Sequence, residues 1–97
     1  MQIIPLSSIT IRRRQRSSIN PTSLAELKES ILGRGLLHPP VCWYDQANQT
    51  WVLTVGERRF RAIEALAKEG REFHCGHELV KPGQIAISPL GDYLAEV

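Results

Sequence analysis

Cysteine, aromatic side chains and long apolar runs are all scarce in this chain. Its two cysteines, Cys42 and Cys75, are too few for a disulfide framework, and reduced thiols are the default in a cytosolic protein. No stretch approaches the ~18 consecutive apolar residues of a membrane span. The amino terminus lacks the apolar segment of a signal peptide. We therefore expect a cytoplasmic protein with no membrane partner.

The net charge is also small, at +2 over 97 residues, so it does not by itself indicate a polyanionic partner. Its distribution is more informative, because seven of the twelve basic residues fall in two short blocks. If folding brings the blocks together, one face is strongly positive and suits phosphates. Alternatively, the first block is only a solvated loop. The blocks are Arg12, Arg13, Arg14 and Arg16, and Arg58, Arg59 and Arg61.

The order of apolar patterns predicts one α+β domain over residues 1–97, a small mixed β-sheet with two to three helices. Residues 2–11 predict a short strand, a turn and an extended piece. Asn20-Pro21 marks a helix start, and Gly33 and Gly35 are expected to stop that helix. Two strands, 41–44 and 50–55, predict a hairpin. The remaining elements are a helix over 57–68, a strand over 71–80, a strand from residue 85 and an incomplete helix at residue 92.

The segment from Gly56 to Ala62 places a glycine, a carboxylate and three arginines at the predicted start of the second helix. Amide groups in a first helical turn lack intrahelical acceptors, and the helix dipole adds about half a positive charge there. Gly56 lets backbone approach a ligand, and Arg58 and Arg61 share one side of the helix, where guanidinium groups can grip phosphate bidentately. Glu57 stabilises the helix start, or serves as a general base or metal ligand. The residues alone leave open a surface helix whose arginines pair with nearby glutamates.

These residues resemble a known family. Gly56-Glu57-Arg58-Arg59-Phe60-Arg61-Ala62 is similar to the GERRxRA signature of the ParB N-terminal domain, in the ParB/sulfiredoxin superfamily. The resemblance continues in Ile4-Pro5-Leu6 with Ile9, in Arg14-Gln15-Arg16, in the helix 24–31 and in Gly35-Leu36-Leu37-His38-Pro39. It spans about residues 3 to 70 in the family's order.

The resemblance implies a nucleotide pocket. It assigns Gly56, Glu57, Arg58, Arg59 and Arg61 to a triphosphate site and His38 to the pocket lining. It also implies CTP or ATP with Mg2+, DNA as a partner in plasmid or chromosome partition, and a homodimer. Arg12, Arg13, Arg14 and Arg16 are further candidates for DNA or phosphate contacts. Hydrolysis, if present, would be slow and would act as a switch.

Two departures from the family pattern bear on the expected activity. The third ParB motif and the helix-turn-helix domain are not found within these residues, and the roles of Asp92 and Glu96 are not assigned. Sulfiredoxins place a catalytic cysteine where this chain has Glu57, so sulfinic-acid reduction is not expected. Three alternatives remain: a phosphotransferase or ATPase with Glu57 as catalytic residue, a nuclease-like DNA module, and an adaptor that has lost nucleotide binding.

Two other groups of residues are better explained by structure than by chemistry. His74-Cys75-Gly76-His77 lacks the paired ligand spacing of structural zinc sites, so no metal site is predicted there. Trp43, Tyr44 and Trp51 could stack bases, but on a hairpin they favour core and cross-strand contacts.

Overall fold

The computed structural model describes residues 1–11 and 20–90. The arginine block at residues 12–16, and Asp92 and Glu96, therefore lie outside the described residues. The secondary-structure elements, in chain order, are strand β1 (Gln2–Pro5), a 3₁₀ turn (Leu6–Ser8), β2 (Ile9–Thr10), helix α1 (Pro21–Arg34), β3 (Val41–Asp45), β4 (Thr50–Val55), α2 (Glu57–Lys68), β5 (Phe73–Cys75), β6 (Glu78–Val80) and β7 (Gln84–Pro89).

Five of the strands form a mixed sheet in the order β1-β7-β3-β4-β2. The β1–β7 and β3–β4 pairs are antiparallel, whereas β2–β4 and β3–β7 are parallel. β5 and β6 form a separate antiparallel hairpin. The predicted α+β class with a mixed sheet is confirmed, and β1 lies at a sheet edge, where Pro5 needs no ladder donor on its outer side.

Helix α1 begins as the sequence predicts and ends slightly later. The side chain of Asn20 accepts a hydrogen bond from the Thr22 amide at 2.8 Å, and Pro21 occupies the first turn. Gly33 was expected to stop the helix, but it lies inside it. Gly35 is the C-cap, and its amide still donates to the Ile31 carbonyl at 2.9 Å. An exposed glycine is tolerated in the last turn of a helix because it weakens the helix by only about 1 kcal/mol.

The segment 71–80 is a hairpin, so the prediction of one strand there was wrong. Gly76 has φ +62°, a left-handed conformation that lets the chain reverse. Cys75 then pairs with Glu78, and Phe73 pairs with Val80. Phe73, Cys75 and Val80 are buried while residues between them are exposed, so the apolar pattern of one strand concealed two short ones.

The core lies between the large sheet, the two helices and the β5–β6 hairpin. Helix α2 contributes the most from any helix, because Phe60, Ala62, Ile63 and Leu66 are all buried. Ile85 and Ile87 of β7, which lies between β1 and β3, are fully buried in the same core cluster. Among the described residues, no helix is long and apolar enough to cross a membrane. Helix α2 is thus packed on the core, and its first turn directly follows the end of β4.

Candidate functional site

The β4–α2 junction brings the backbone of two segments into contact at Gly56. This residue caps α2 with φ +98° and ψ +40°, a left-handed conformation. A Cβ here would lie 3.2 Å from Cα of Pro40, closer than side chains normally approach backbone. The junction therefore requires glycine for both its conformation and its space.

The first turn of α2 presents amide groups without a side-chain cap among the described residues. Intrahelical bonding begins with the Phe60 amide, which donates to the Gly56 carbonyl at 2.9 Å. The amides before it have no acceptor within the helix, and the helix dipole adds positive potential at the same place. The half-buried Glu57 begins the helix and supplies its only first-turn carboxylate. An anion would be stabilised here by backbone alone.

The segment that meets this helix start is the loop from Gly35 to Pro40, called the Gly35–Pro40 loop below. At its first end the Leu36 amide donates to the His74 carbonyl at 2.7 Å. At its last end the Pro40 carbonyl accepts from the Ser88 amide at 2.8 Å. Leu36 is buried, but Leu37 and His38 are exposed. The loop thus has two fixed ends and an exposed middle.

The three arginines of α2 occupy different environments. Nη1 of Arg59 lies 3.5 Å from where a Cβ of Gly56 would stand, so this side chain turns back over the helix start. Arg61 is paired with Glu64 at 3.2 Å, three residues on, and its guanidinium lies 5.5 Å from the centre of the Phe60 ring. Arg58 is exposed. Arg59 is therefore the arginine best placed for an anion at the first turn.

The family model of the ParB N-terminal domain matches residues 1–74. The chain belongs to the ParB N-terminal domain family. No curated protein gives a match.

Solved structures of chromosome-partitioning protein ParB from Caulobacter crescentus, truncated at the carboxyl terminus, share the fold of this ParB N-terminal domain. The structure complexed with CTP-gamma-S matches with a TM-score of 0.57 and 22% identity, over 95% of this chain and 46% of that one. The structure complexed to the centromeric parS site matches with a TM-score of 0.59 and 22% identity, over 99% of this chain and 44% of that one. The chain thus spans less than half the length of the ParB chains it matches.

The residues assigned by sequence to the ParB pocket are grouped in part. Gly56 and Arg59 lie together, with Glu57 and Arg58 in the same helical turn. Arg61 is one position beyond Phe60 and has Glu64 as its partner, as the surface-helix alternative expects. His38 is exposed in the Gly35–Pro40 loop, whose last residue contacts Gly56. The four arginines of the first block lie outside the described residues.

Pro40 is the site residue that sequence reasoning missed. Its ring and backbone border Gly56, and its carbonyl fixes the loop to β7. The pair Pro39-Pro40 directly before β3 predicts an extended backbone there, but it does not predict which distant residue Pro40 contacts. That contact depends on β3 lying beside β7 and β4.

A separate groove of about 730 Å³ borders the later turns of α2. It lies between α2, the 3₁₀ turn and the β6–β7 turn, and none of its lining residues belongs to the Gly35–Pro40 loop or the first three positions of α2. Its walls are mainly apolar, with Glu64 and Lys68 at the side of the helix. This groove is therefore distinct from the helix start that the sequence singled out.

Cysteine and histidine residues of the β5–β6 hairpin do not converge on a common point. Cys75 is buried in the core, whereas His74 and His77 are exposed. Within the described ranges, 1–11 and 20–90, no group of three or more metal-ligating side chains is found. The aromatic pair Tyr44 and Trp51 stacks edge to face, with ring centres 5.1 Å apart, across β3 and β4. Such a pair supports the hairpin.

Proposed function

We propose that this domain binds a nucleoside triphosphate, CTP or ATP, at the first turn of α2. The observation that carries the proposal is the contact between Gly56 and Pro40 with Arg59 turned over it. It joins a cation, a partly exposed loop and a helix start that no side chain of the described residues caps. Membership of the ParB N-terminal domain family and the fold shared with a ParB structure holding CTP-gamma-S support it.

The phosphates would be held by backbone and by guanidinium groups together. The amides of the first turn would donate to phosphate oxygens, and Arg59 would add charge-assisted hydrogen bonds. Arg58 is exposed and could reach the same phosphates from the next position. Arg61 would have to exchange Glu64 for phosphate, so its contribution is smaller than that of Arg59. The exposed Leu37 and His38 would face the nucleoside.

Magnesium fits this site through Glu57. Mg2+ is commonly held by one or two carboxylates together with substrate phosphates, and Glu57 is the acidic residue of the first turn. Glu57 would hold the ion directly or through water, while the nucleotide phosphates supply further oxygen ligands. When bound, the ion neutralises phosphate charge.

We also propose a DNA-linked role for this chain, which its family and the fold it shares with the ParB structure complexed to parS support. The domain would act within a partition or DNA-associated regulatory protein, with nucleotide binding as a switch. Arg12, Arg13, Arg14 and Arg16 are the proposed DNA-contacting block. Their substitution should reduce the salt dependence of DNA binding, because each neutralised phosphate releases counterions.

Calorimetric titration with CTP, ATP and GTP in the presence of Mg2+ tests nucleotide binding. Arg59→Ala should weaken the preferred nucleotide by about ten- to a hundredfold, as expected for loss of charge-assisted hydrogen bonds. Arg71→Ala is the matched control, since Arg71 is exposed beyond the opposite end of α2. Its affinity should stay within about twofold of the wild type. Absence of heat with all three nucleotides would refute the proposal, and equal affinity of the Arg59→Ala protein would remove Arg59 from the site.

A further inference from the structure

We infer that the β5–β6 hairpin is a positioning element of the nucleotide site, acting through the backbone carbonyl of His74 on the Gly35–Pro40 loop. Gly35 is the residue that permits this contact. The inference rests on the proposed nucleotide binding and adds to it an element that lies outside the helix start and outside the loop.

The conformation of Gly35 is available almost only to glycine. Its φ of +84° and ψ of +171° lie in a region that side-chain-bearing residues avoid. A Cβ at this position would stand 2.9 Å from the carbonyl oxygen of His74. That neighbour is backbone, so it cannot rotate away as a flexible side chain would. By contrast, a Cβ on Gly33 would meet no atom of the described residues within 4 Å.

The His74 carbonyl, which accepts the hydrogen bond from the loop, belongs to strand β5, which is anchored in the core. Phe73 and Cys75, on either side of His74, are both buried in the core, and Val80 opposite Phe73 is fully buried. The His74 side chain itself is exposed. The His74 carbonyl is therefore a fixed backbone acceptor, and the Leu36 amide donates to it at 2.7 Å.

This anchor determines where the exposed part of the loop stands. Leu36 is tied to β5 and Pro40 is tied to β7 and Gly56, so the intervening Leu37 and His38 project from a loop held at both ends. A loop already in its bound shape loses less conformational entropy when a ligand binds. If the nucleotide binds only when the loop is anchored, the apparent dissociation constant rises as the anchored fraction of the molecules falls.

Substituting two glycines that are two residues apart tests the anchor. Gly35→Ala should push the loop off β5 and raise the dissociation constant for CTP or ATP with Mg2+ by about tenfold or more. Gly33→Ala adds a methyl group in the last turn of α1, where no atom of the described residues lies within 4 Å. It should leave the dissociation constant within about twofold of the wild-type value. Both proteins are titrated at a temperature where circular dichroism shows them fully folded, so a change in global stability alone does not alter the affinity.

A second pair of variants and one spectroscopic signal keep the test decisive if Gly35→Ala does not fold. Val80→Ala loosens the hairpin, whereas Val52→Ala makes the same change at a buried position of β4. Only Val80→Ala should weaken nucleotide binding and speed hydrogen exchange of the Leu36 amide. In the wild type, saturating CTP or ATP should slow exchange of that amide, because the ligand selects the anchored loop.

The outcomes separate this inference from the function on which it rests. A wild-type domain that binds neither CTP nor ATP overturns the proposed function, and the inference with it. Wild-type binding together with unchanged affinity in Gly35→Ala and Val80→Ala, or with Leu36 exchange indifferent to nucleotide, overturns the inference alone.

Discussion

Cys42 is a fully buried thiol on β3, and burial raises its pKa from 9.0 to about 11 because the thiolate would lose its hydration. In the unfolded chain the thiol ionises first, so between pH 9 and 11 the native state retains a proton that the unfolded state has released. The free energy of unfolding therefore falls as the pH rises through this window. The predicted loss is about 2–3 kcal/mol by pH 11.

Urea unfolding between pH 7.5 and 11 measures this loss, and Cys42→Ala is the comparison. The alanine protein is expected to be less stable at neutral pH because it leaves a small cavity. Its stability should nevertheless fall less steeply above pH 9. If stability fell equally with pH in the two proteins, the pKa of Cys42 would be the same in the folded and unfolded states.

At the same scale, the sequence predicted local conformations well and contacts between distant residues poorly. Asn20-Pro21 and Gly56-Glu57 carry their own reasons for starting a helix, and both helices begin where these residues predict. The contact of Gly35 with His74 joins residues 39 positions apart, and nothing in either residue's neighbourhood specifies it. Glycine at position 35 indicates a left-handed or close-packed backbone, but not the atom it accommodates.

The β3–β4 hairpin depends on one buried acidic residue at its turn. Asp45 accepts from the Ala47 amide at 3.0 Å and from the Asn48 side-chain amide at 2.8 Å. Such bonds from an aspartate to residues two and three positions on stabilise a turn. Asp45→Ala should lower the free energy of unfolding by about 1–3 kcal/mol, since two partly buried hydrogen bonds are lost.

Asp45→Asn separates the two bonds in that turn. Asparagine keeps an acceptor for the Ala47 amide but places a donor where the Asn48 side chain now donates. Its stability, read from urea unfolding, should therefore fall between those of the wild type and the alanine variant. An alanine protein as stable as the wild type would show that the turn forms without these bonds.

Helices and strands could be predicted from the sequence where one hydrophobic periodicity extended over six residues or more. The range of α2, Glu57–Lys68, and that of β4, Thr50–Val55, match their predictions, because each has a continuous apolar face. The β5–β6 hairpin was missed since each strand has only three residues, too few for alternation to show two separate strands. The same hairpin is the element that we infer to position the Gly35–Pro40 loop.

For the whole molecule, the candidate site depends on strand order. β3 lies between β7 and β4, which brings Pro40 at the start of β3 against Ser88 on one side and Gly56 on the other. The sequence predicted a mixed sheet but contained no signal for this order, because parallel pairing of β3 and β7 joins strands more than forty residues apart. The grouping of loop and helix start is thus a property of the complete fold.

Because these segments come together only in the folded chain, nucleotide binding should stabilise the entire domain. A ligand that binds only the native state at 100 times its dissociation constant adds about 2.7 kcal/mol to the free energy of unfolding. For a chain of this size the thermal midpoint should rise by roughly 10–20 °C. Thermal unfolding is followed with CTP or ATP and Mg2+, and with inorganic tripolyphosphate and Mg2+ at equal ionic strength.

Arg71→Ala should show the full rise in thermal midpoint. Arg59→Ala, with its affinity weakened about ten- to a hundredfold, should show between about a half and a sixth of that rise at the same nucleotide concentration. A larger rise with nucleotide than with tripolyphosphate would indicate contacts to the nucleoside, which we assign to Leu37 and His38. Equal rises would restrict the site to the phosphates at the start of α2. An Arg59→Ala protein stabilised as much as the Arg71→Ala protein would contradict the role of Arg59 in the site.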